Sequence, residues 1–251
     1  METIQKLAKM IDHSLLHPTM TDHEMKEGCL IARHYDVASV CIKPYSVKAA
    51  VKWLAGSSVA VGTVIGFPHG NSAIQIKVAE AIRACKDGAT EIDMVVNIGK
   101  VRGGQWAYVE REIRAVTEAV HKNGGIIKVI FETDFLENDT QKIKLCAICR
   151  SVNVDFVKTS TGFGFSKGKD GTYNYVGATA HDLRLMHQNA GETMQVKASG
   201  GIRTLAELLE AKALGATRIG ASATVSMLEE AKKRFDIASE VVVLPKNTSG
   251  Y

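Results

Sequence analysis

Short, nearly continuous apolar runs alternate along this chain with longer stretches in which apolar residues recur every three or four positions. The short runs fall at Ile11–Leu16, Ala38–Ile42, Val59–Phe67, Glu91–Val96, Ile126–Glu132, Asp155–Ser160, Gln195–Ser199 and Thr217–Ala221. They are rich in Val and Ile and predict eight strands. Their mean spacing of about 30 residues accommodates a strand, a crossover helix and two loops. Continuous apolar runs, as opposed to alternating ones, fit parallel strands covered on both faces.

The intervening stretches carry helix punctuation. Thr21 with Glu24, and Ser72 with Gln75, have the spacing of a capping box, in which each side chain satisfies a free backbone donor. Pro44 suits a first helical residue before Tyr45–Ala55. After Ser72, the residues Ile74, Val78, Ala81, Ile82 and Cys85 form one apolar stripe. Gly88, Gly124, Gly191 and Gly215 stand where helices should stop.

Eight βα units without a linker or a shift in composition predict an α/β protein, a single-domain TIM (β/α)8 barrel over residues 1–251. An open doubly wound sheet is the alternative, because periodicity does not reveal closure. Residues 246–251 read as a flexible tail ending in Tyr251.

Composition narrows the function classes. Hydrophobic residues make up 45% and charged residues 23%, enough apolar surface for a sizeable core. The net charge of +4 is spread along the chain, and no Lys/Arg block suggests a nucleic-acid or membrane partner. No run reaches the ~18 apolar residues of a membrane span. The start, Met-Glu-Thr-Ile-Gln-Lys, lacks the parts of a signal peptide, so a cytoplasmic location is expected. Five irregularly spaced cysteines form no disulfide framework, and Cys146 and Cys149 fall within an apolar helical stripe. His13, His17, His23 and His69 lack metal-ligand spacing, and no nucleotide-binding glycine motif is present. Neither a metal nor an organic cofactor is implied.

Two lysines lie inside apolar strand-like runs that end in small and hydroxyl residues. Lys158 occurs in Asp155-Phe-Val-Lys-Thr-Ser-Thr-Gly162 and Lys197 in Met194-Gln-Val-Lys-Ala-Ser-Gly-Gly201. Burying an ammonium costs desolvation unless it is paired or neutralised. A second cation nearby favours neutralisation further, and a neutral lysine amine attacks carbonyls. Lowering a lysine pKa from about 10.4 to about 7 means destabilising its cation by roughly 4–5 kcal/mol. The pair therefore predicts Schiff-base chemistry, with either Lys158 or Lys197 as nucleophile. Asp93, in the fourth run, is the candidate acid/base.

The last two strands run into Gly200-Gly201-Ile-Arg203-Thr204 and Gly220-Ala-Ser222, each followed by a helix. Glycines admit an anion close to the backbone, and helix N-termini present free N–H groups. In barrels these two loops commonly hold phosphate. A small phosphorylated aldehyde or sugar is the substrate this predicts, with Arg203 a candidate contact.

At these residues the chain resembles the deoxyribose-phosphate aldolases, over its whole length. The resemblance rests on Ile11-Asp12, Val40-Cys41-Ile42, Gly66-Phe67-Pro68, Glu91-Ile-Asp93-Met-Val-Val-Asn97, Lys128-Val-Ile-Phe-Glu-Thr133, Lys158-Thr-Ser-Thr-Gly-Phe163, Lys197-Ala-Ser-Gly-Gly-Ile-Arg203 and Arg218-Ile-Gly-Ala-Ser222. It implies a TIM barrel and reversible cleavage of 2-deoxy-D-ribose 5-phosphate to acetaldehyde and D-glyceraldehyde 3-phosphate, in deoxyribonucleotide catabolism. By the same resemblance Lys158 forms the Schiff base, Lys197 perturbs it, and Asp93 relays protons. Asp12 and Thr161 would line the sugar site, and Gly200, Gly201 and Ser222 the phosphate cradle; apart from the resemblance, Cys41 is a candidate substrate contact from its place on an inner strand, and Gly220 from the second glycine loop. Other class I sugar-phosphate aldolases or transaldolases, and a non-catalytic sugar-phosphate-binding barrel, are the alternatives. A homodimer or homotetramer is compatible with the sequence, which does not fix the assembly.

One departure from the family pattern is the glycine- and lysine-rich segment 164–176, longer than the turn many relatives carry. It follows strand six and should overhang the barrel mouth. It is expected to be a tolerated surface insertion, with a lid or an oligomer contact as the alternatives. Tyr251 would reach the site only if the tail folds back.

Overall fold

The structure, a computed structural model, describes residues 3–136, 138–168 and 170–240. The expected tail 246–251, with Tyr251, lies outside the described residues. In chain order the strands are β1 (Ile11–Leu15), β2 (Ser39–Ile42), β3 (Ala60–Ile65), β4 (Glu91–Val95), β5 (Ile126–Ile130), β6 (Phe156–Lys158), β7 (Ser166–Lys167), β8 (Tyr173–Asn174), β9 (Gln195–Ser199) and β10 (Arg218–Ala221). The helices are α1 (Ile4–Ala8), α2 (Asp22–His34), α3 (Val47–Trp53), α4 (Ile74–Asp87), α5 (Ile98–Arg102), α6 (Trp106–Lys122), α7 (Asp139–Ser151), α8 (Ala180–Ala190), α9 (Leu205–Ala213) and α10 (Thr224–Glu240).

All eight expected strands form, and they close into a parallel barrel in the order β1-β10-β9-β6-β5-β4-β3-β2. Closure is the pairing of β1 with β10, Ile11 opposite Ile219 and His13 opposite Ala221. Side chains alternate across each strand. Ile92 and Met94, Ile127 and Val129, Val157, Val196 with Ala198, and Ile219 belong to the apolar layer between strands and helices. Their neighbours Glu91 and Asp93, Lys128, Lys158, Lys197 and Arg218 face the barrel interior, where they meet one another. Register then sets height: Lys158 pairs with Lys197 across β6 and β9, and Asp93 with Lys128 across β4 and β5.

Helix starts follow the sequence where a cap is available. Thr21 and Glu24 form the predicted capping box at α2. The Ser72–Gln75 box does not form: α4 starts after Ala73 without a side-chain cap. Its preceding loop is held from inside the helix instead. Lys77 Nζ donates to Gly70 O and Glu80 accepts from Gly66 N, both within hydrogen-bond distance at 2.7 and 2.8 Å. The stretch after Pro44 divides into a 3-10 turn, Pro44–Ser46, and α3. Segment 164–176 contains a short antiparallel hairpin, β7 against β8.

Candidate active site

The barrel interior holds an ion network built from six strands. Asp93 Oδ2 accepts from Lys158 Nζ and from Lys197 Nζ, each at 2.8 Å. Its other oxygen accepts from Lys128 Nζ at 2.9 Å. Lys128 also reaches Glu91 at 2.5 Å and Asp12 at 3.3 Å. Lys197 Nζ stands 2.6 Å from Asp12 Oδ2, a contact that is ionic and lacks hydrogen-bond alignment. Arg218 completes the set, bridging Asp12 at 2.5 Å and Glu91 at 3.0 Å, while Ser39 Oγ donates to Asp12 at 2.7 Å. Gly220 makes room for this packing. A Cβ there would lie 3.2 Å from Lys197 Cε and 3.0 Å from Ser199 Cβ.

Burial opposes charge on Asp12, Asp93, Lys128, Lys158, Lys197 and Arg218, and the neighbours decide each outcome. For Asp93, Lys128, Lys158 and Lys197 outweigh burial and hold the carboxyl well below the usual range. For Asp12, Lys128, Lys197 and Arg218 likewise outweigh burial and keep it ionised. Asp12 and Asp93 overcome the burial of Lys197 and raise it, and with Glu91 they hold Lys128 well above the usual lysine value. Lys158 differs. Burial lowers its pKa, Lys197 adds to that, and Asp93 offsets only part. The ion pairs agree: within this network Lys128, Lys197 and Arg218 each pair with two or more carboxylates, whereas Lys158 pairs with Asp93 alone. Lys158 is the cation the surroundings support least.

A cavity of about 870 Å³ opens over this network at the C-terminal ends of the strands. Of the sequence-predicted residues, Asp12, Cys41, Lys158, Thr161, Lys197, Gly200, Gly201, Arg203, Gly220 and Ser222 all line it. Asp93 does not; it is fully buried beneath the two lysines. Burial, chiefly, with Asp93 adding to it, pushes the Cys41 thiol up to about 11, so it is protonated at neutral pH.

The anion-binding side is built from glycines and helix starts. Gly200 and Gly201 adopt φ values of 87° and 86°, which side-chain-bearing residues rarely take. Not every donor expected at α9 is free. Glu207 accepts from Arg203 N at 2.7 Å and Thr204 N at 2.9 Å, closing a capping box with Thr204. Loop 200–201 and the start of α10, reached through Ser222, are the parts of this wall that the box leaves aside.

The hairpin segment also reaches the cavity. Phe165 and Tyr175 line it and stack edge to face with ring centres 5.3 Å apart. Tyr175 sits at the anchored root. The next two backbone N–H groups, of Val176 and Gly177, donate to Asp134, and Ala178 N donates to Gly200 O. An insertion free of the site would not have this placement.

Three interior groups escaped the sequence reading as functional: Lys128, Glu91 and Arg218. The signal for Lys128 was present, since it interrupts Ile126-Ile-Lys-Val-Ile-Phe as Lys158 interrupts its own strand. Glu132, buried just beyond β5 and bonded to Thr161, carries no such signal in the sequence.

Comparison with known proteins agrees with this geometry. A family model described as DeoC/LacD family aldolase matches residues 6–235. A deoxyribose-phosphate aldolase of Rhodopirellula baltica is 50% identical over 98% of this chain and 97% of its own. Another, from Caldanaerobacter subterraneus subsp. tengcongensis, is 48% identical over 93% of this chain and 96% of its own. Among solved structures, the tetrameric deoxyribose phosphate aldolase of Aeropyrum pernix superposes with a TM-score of 0.82 at 29% identity, covering 92% of this chain and 93% of that one. The aldolase QR15 superposes with a TM-score of 0.83 at 35% identity, covering 92% and 98%. A lysine-lined barrel of this kind, matched over nearly its whole length, belongs to the DeoC/LacD family of aldolases.

Proposed function

We propose that this chain is a class I deoxyribose-phosphate aldolase, cleaving 2-deoxy-D-ribose 5-phosphate reversibly through a Schiff base on Lys158. The observation that carries the assignment is the asymmetry of the two lysines that share Asp93 Oδ2. Lys158 lines the cavity and is disfavoured as a cation; Lys197 lines it too but is held charged by Asp12 and Asp93. Only a neutral amine adds to a carbonyl.

Neutral Lys158 Nζ adds to C1 of the open-chain sugar, and loss of water, with one proton taken up from the Lys197 ammonium, leaves an iminium. Its positive charge develops 2.8 Å from Asp93 Oδ2, so the carboxylate stabilises the intermediate without rearrangement. The C2–C3 electron pair moves toward the iminium as the C3 hydroxyl gives up its proton. D-Glyceraldehyde 3-phosphate departs and an enamine remains. Protonation of the enamine at its terminal carbon, then hydrolysis, releases acetaldehyde and regenerates the neutral amine. Lys197 relays the protons and Asp93, which does not reach the cavity, acts through the two lysines. Gly200, Gly201, Gly220, Ser222 and Arg203 bind the phosphate, with Asp12, Cys41 and Thr161 beside the sugar.

The reading extends to a cytoplasmic homo-oligomer, for which the tetrameric Aeropyrum pernix relative is the support. Among the described residues no helix is long and apolar enough to cross a membrane. The test is release of acetaldehyde and glyceraldehyde 3-phosphate from 2-deoxyribose 5-phosphate, lost in Lys158→Met. Cleavage of another sugar phosphate without acetaldehyde would assign a different aldolase, and ligand binding without turnover would remove the enzyme reading.

A further inference from the structure

Glu132 is a buried carboxyl at the mouth of the barrel that the mechanism above does not use. It is 1% exposed and follows β5 in a left-handed conformation, φ 57°, that residues with side chains rarely adopt. Such a backbone persists where its surroundings impose it, and functional sites are where it concentrates.

Both carboxyl oxygens are spent on one residue. Thr161 N donates to Glu132 Oε1 at 3.1 Å, and Thr161 Oγ1 donates to Glu132 Oε2. The turn beyond Thr161 closes over the same group, and a Cβ on Gly164 would lie 2.7 Å from Glu132 Cδ. Phe163 N in turn donates to Thr161 Oγ1 at 2.9 Å.

A hydroxyl has one proton and two lone pairs. In Thr161 the proton is committed to Glu132 and one lone pair to Phe163 N. What is left for the cavity, which Thr161 lines, is a single acceptor. That excludes a carbonyl or phosphate oxygen as its partner, since both only accept. It fits a substrate hydroxyl that donates.

We propose that Glu132 is a positioning residue: by holding the Thr161 proton it turns Thr161 Oγ1 into a pure acceptor and so selects acceptor aldehydes that carry a hydroxyl beside the carbonyl. The inference rests on the aldolase reading above and deepens it on the acceptor side. In Glu132→Gln the amide oxygen accepts from Thr161 N, and the amide nitrogen then donates to Thr161 Oγ1. The threonine proton is released toward the cavity, and the preference for a donating hydroxyl disappears.

The experiment compares kcat/KM for glyceraldehyde 3-phosphate with that for 3-phosphooxypropanal, which lacks only the hydroxyl, at saturating acetaldehyde. The unsubstituted enzyme should prefer the hydroxylated aldehyde about tenfold or more. Thr161→Ser should keep that ratio, while Thr161→Val and Glu132→Gln bring it to within about threefold of unity. A purely structural role for Glu132 would lower both rate constants together and leave the ratio intact, which overturns the proposal. So does loss of the ratio in Thr161→Val with its retention in Glu132→Gln. If Glu132→Gln does not fold, the threonine pair decides, an unchanged ratio in Thr161→Val being the contrary result. Borohydride trapping of acetaldehyde on the unsubstituted enzyme separates the two failures: no trap removes the aldolase reading, whereas a trap with an unresponsive ratio removes only the role of Glu132.

Discussion

Replacing Lys197 by methionine keeps the length of the stem and removes one ammonium beside Lys158. Both Nζ atoms lie 2.8 Å from the same carboxylate oxygen, so they stand no more than about 5.6 Å apart. At an effective dielectric constant of about 20, two unit charges at that distance repel by about 3 kcal/mol. The substitution removes this repulsion and leaves Asp93 to stabilise the Lys158 cation with less competition. Both effects raise the pKa of Lys158. At pH 7 the neutral fraction of Lys158, and with it the rate of imine formation, should fall by about two orders of magnitude. The assay is the initial rate of cyanoborohydride-dependent capture of acetaldehyde, followed by intact mass across pH 5–10. The acid limb of the profile should move to higher pH, and capture should recover there. Lost capture that alkaline pH does not restore would assign Lys197 a chemical role only. An unchanged profile would refute the electrostatic reasoning.

Three further perturbations test other parts of the account. Lys128→Met removes the cation that touches Asp12, Glu91 and Asp93 and leaves buried carboxylates under-compensated, so unfolding free energy should drop by about 3–5 kcal/mol in urea titrations; an unaltered midpoint would contradict the network. His13, 5% exposed with its Nδ1 2.8 Å from Thr224 Oγ1, is lowered by burial from 6.5 to about 4. In that interval the unfolded chain binds the proton and the folded one does not, so stability should fall by about 3 kcal/mol as pH drops from 6.5 to 4. His13→Gln should flatten that part of the stability–pH curve, and an equally steep curve would show that other groups are responsible. Shortening segment 164–176 to a tight turn removes Phe165 and Tyr175 from the cavity wall and should raise KM for phosphorylated substrate; an unchanged KM would return the segment to a surface insertion.

What the sequence disclosed was decided by local physics. Strands such as Ile126–Ile130 are buried on both faces, so their apolar runs are nearly continuous and stand out from the helical stretches. The two lysines near strand ends were legible because a charge inside such a run needs a reason. Lys128 breaks its own strand in the same way, yet its reason lies in Glu91 and Asp12, both distant in sequence, the first brought near by the pairing of β4 with β5 and the second by closure of β1 onto β10. Closure has no local signature. Nor did the hairpin, since two-residue strands of polar residues carry no period. The absent cap at Ser72 has a tertiary cause, as Lys77 and Glu80 fix the loop before α4 from within the helix. The asymmetry between Lys158 and Lys197 is likewise three-dimensional: both strands read alike, and only the position of Asp12 against Lys197 separates them.

The central claim is that Lys158 is the amine that forms the imine. Borohydride reduction in the presence of acetaldehyde, followed by peptide mass analysis, addresses it most directly. The account predicts one ethyl adduct, on Lys158, absent from Lys158→Met. An adduct on Lys197, or none on a folded protein that binds the sugar phosphate, would contradict it.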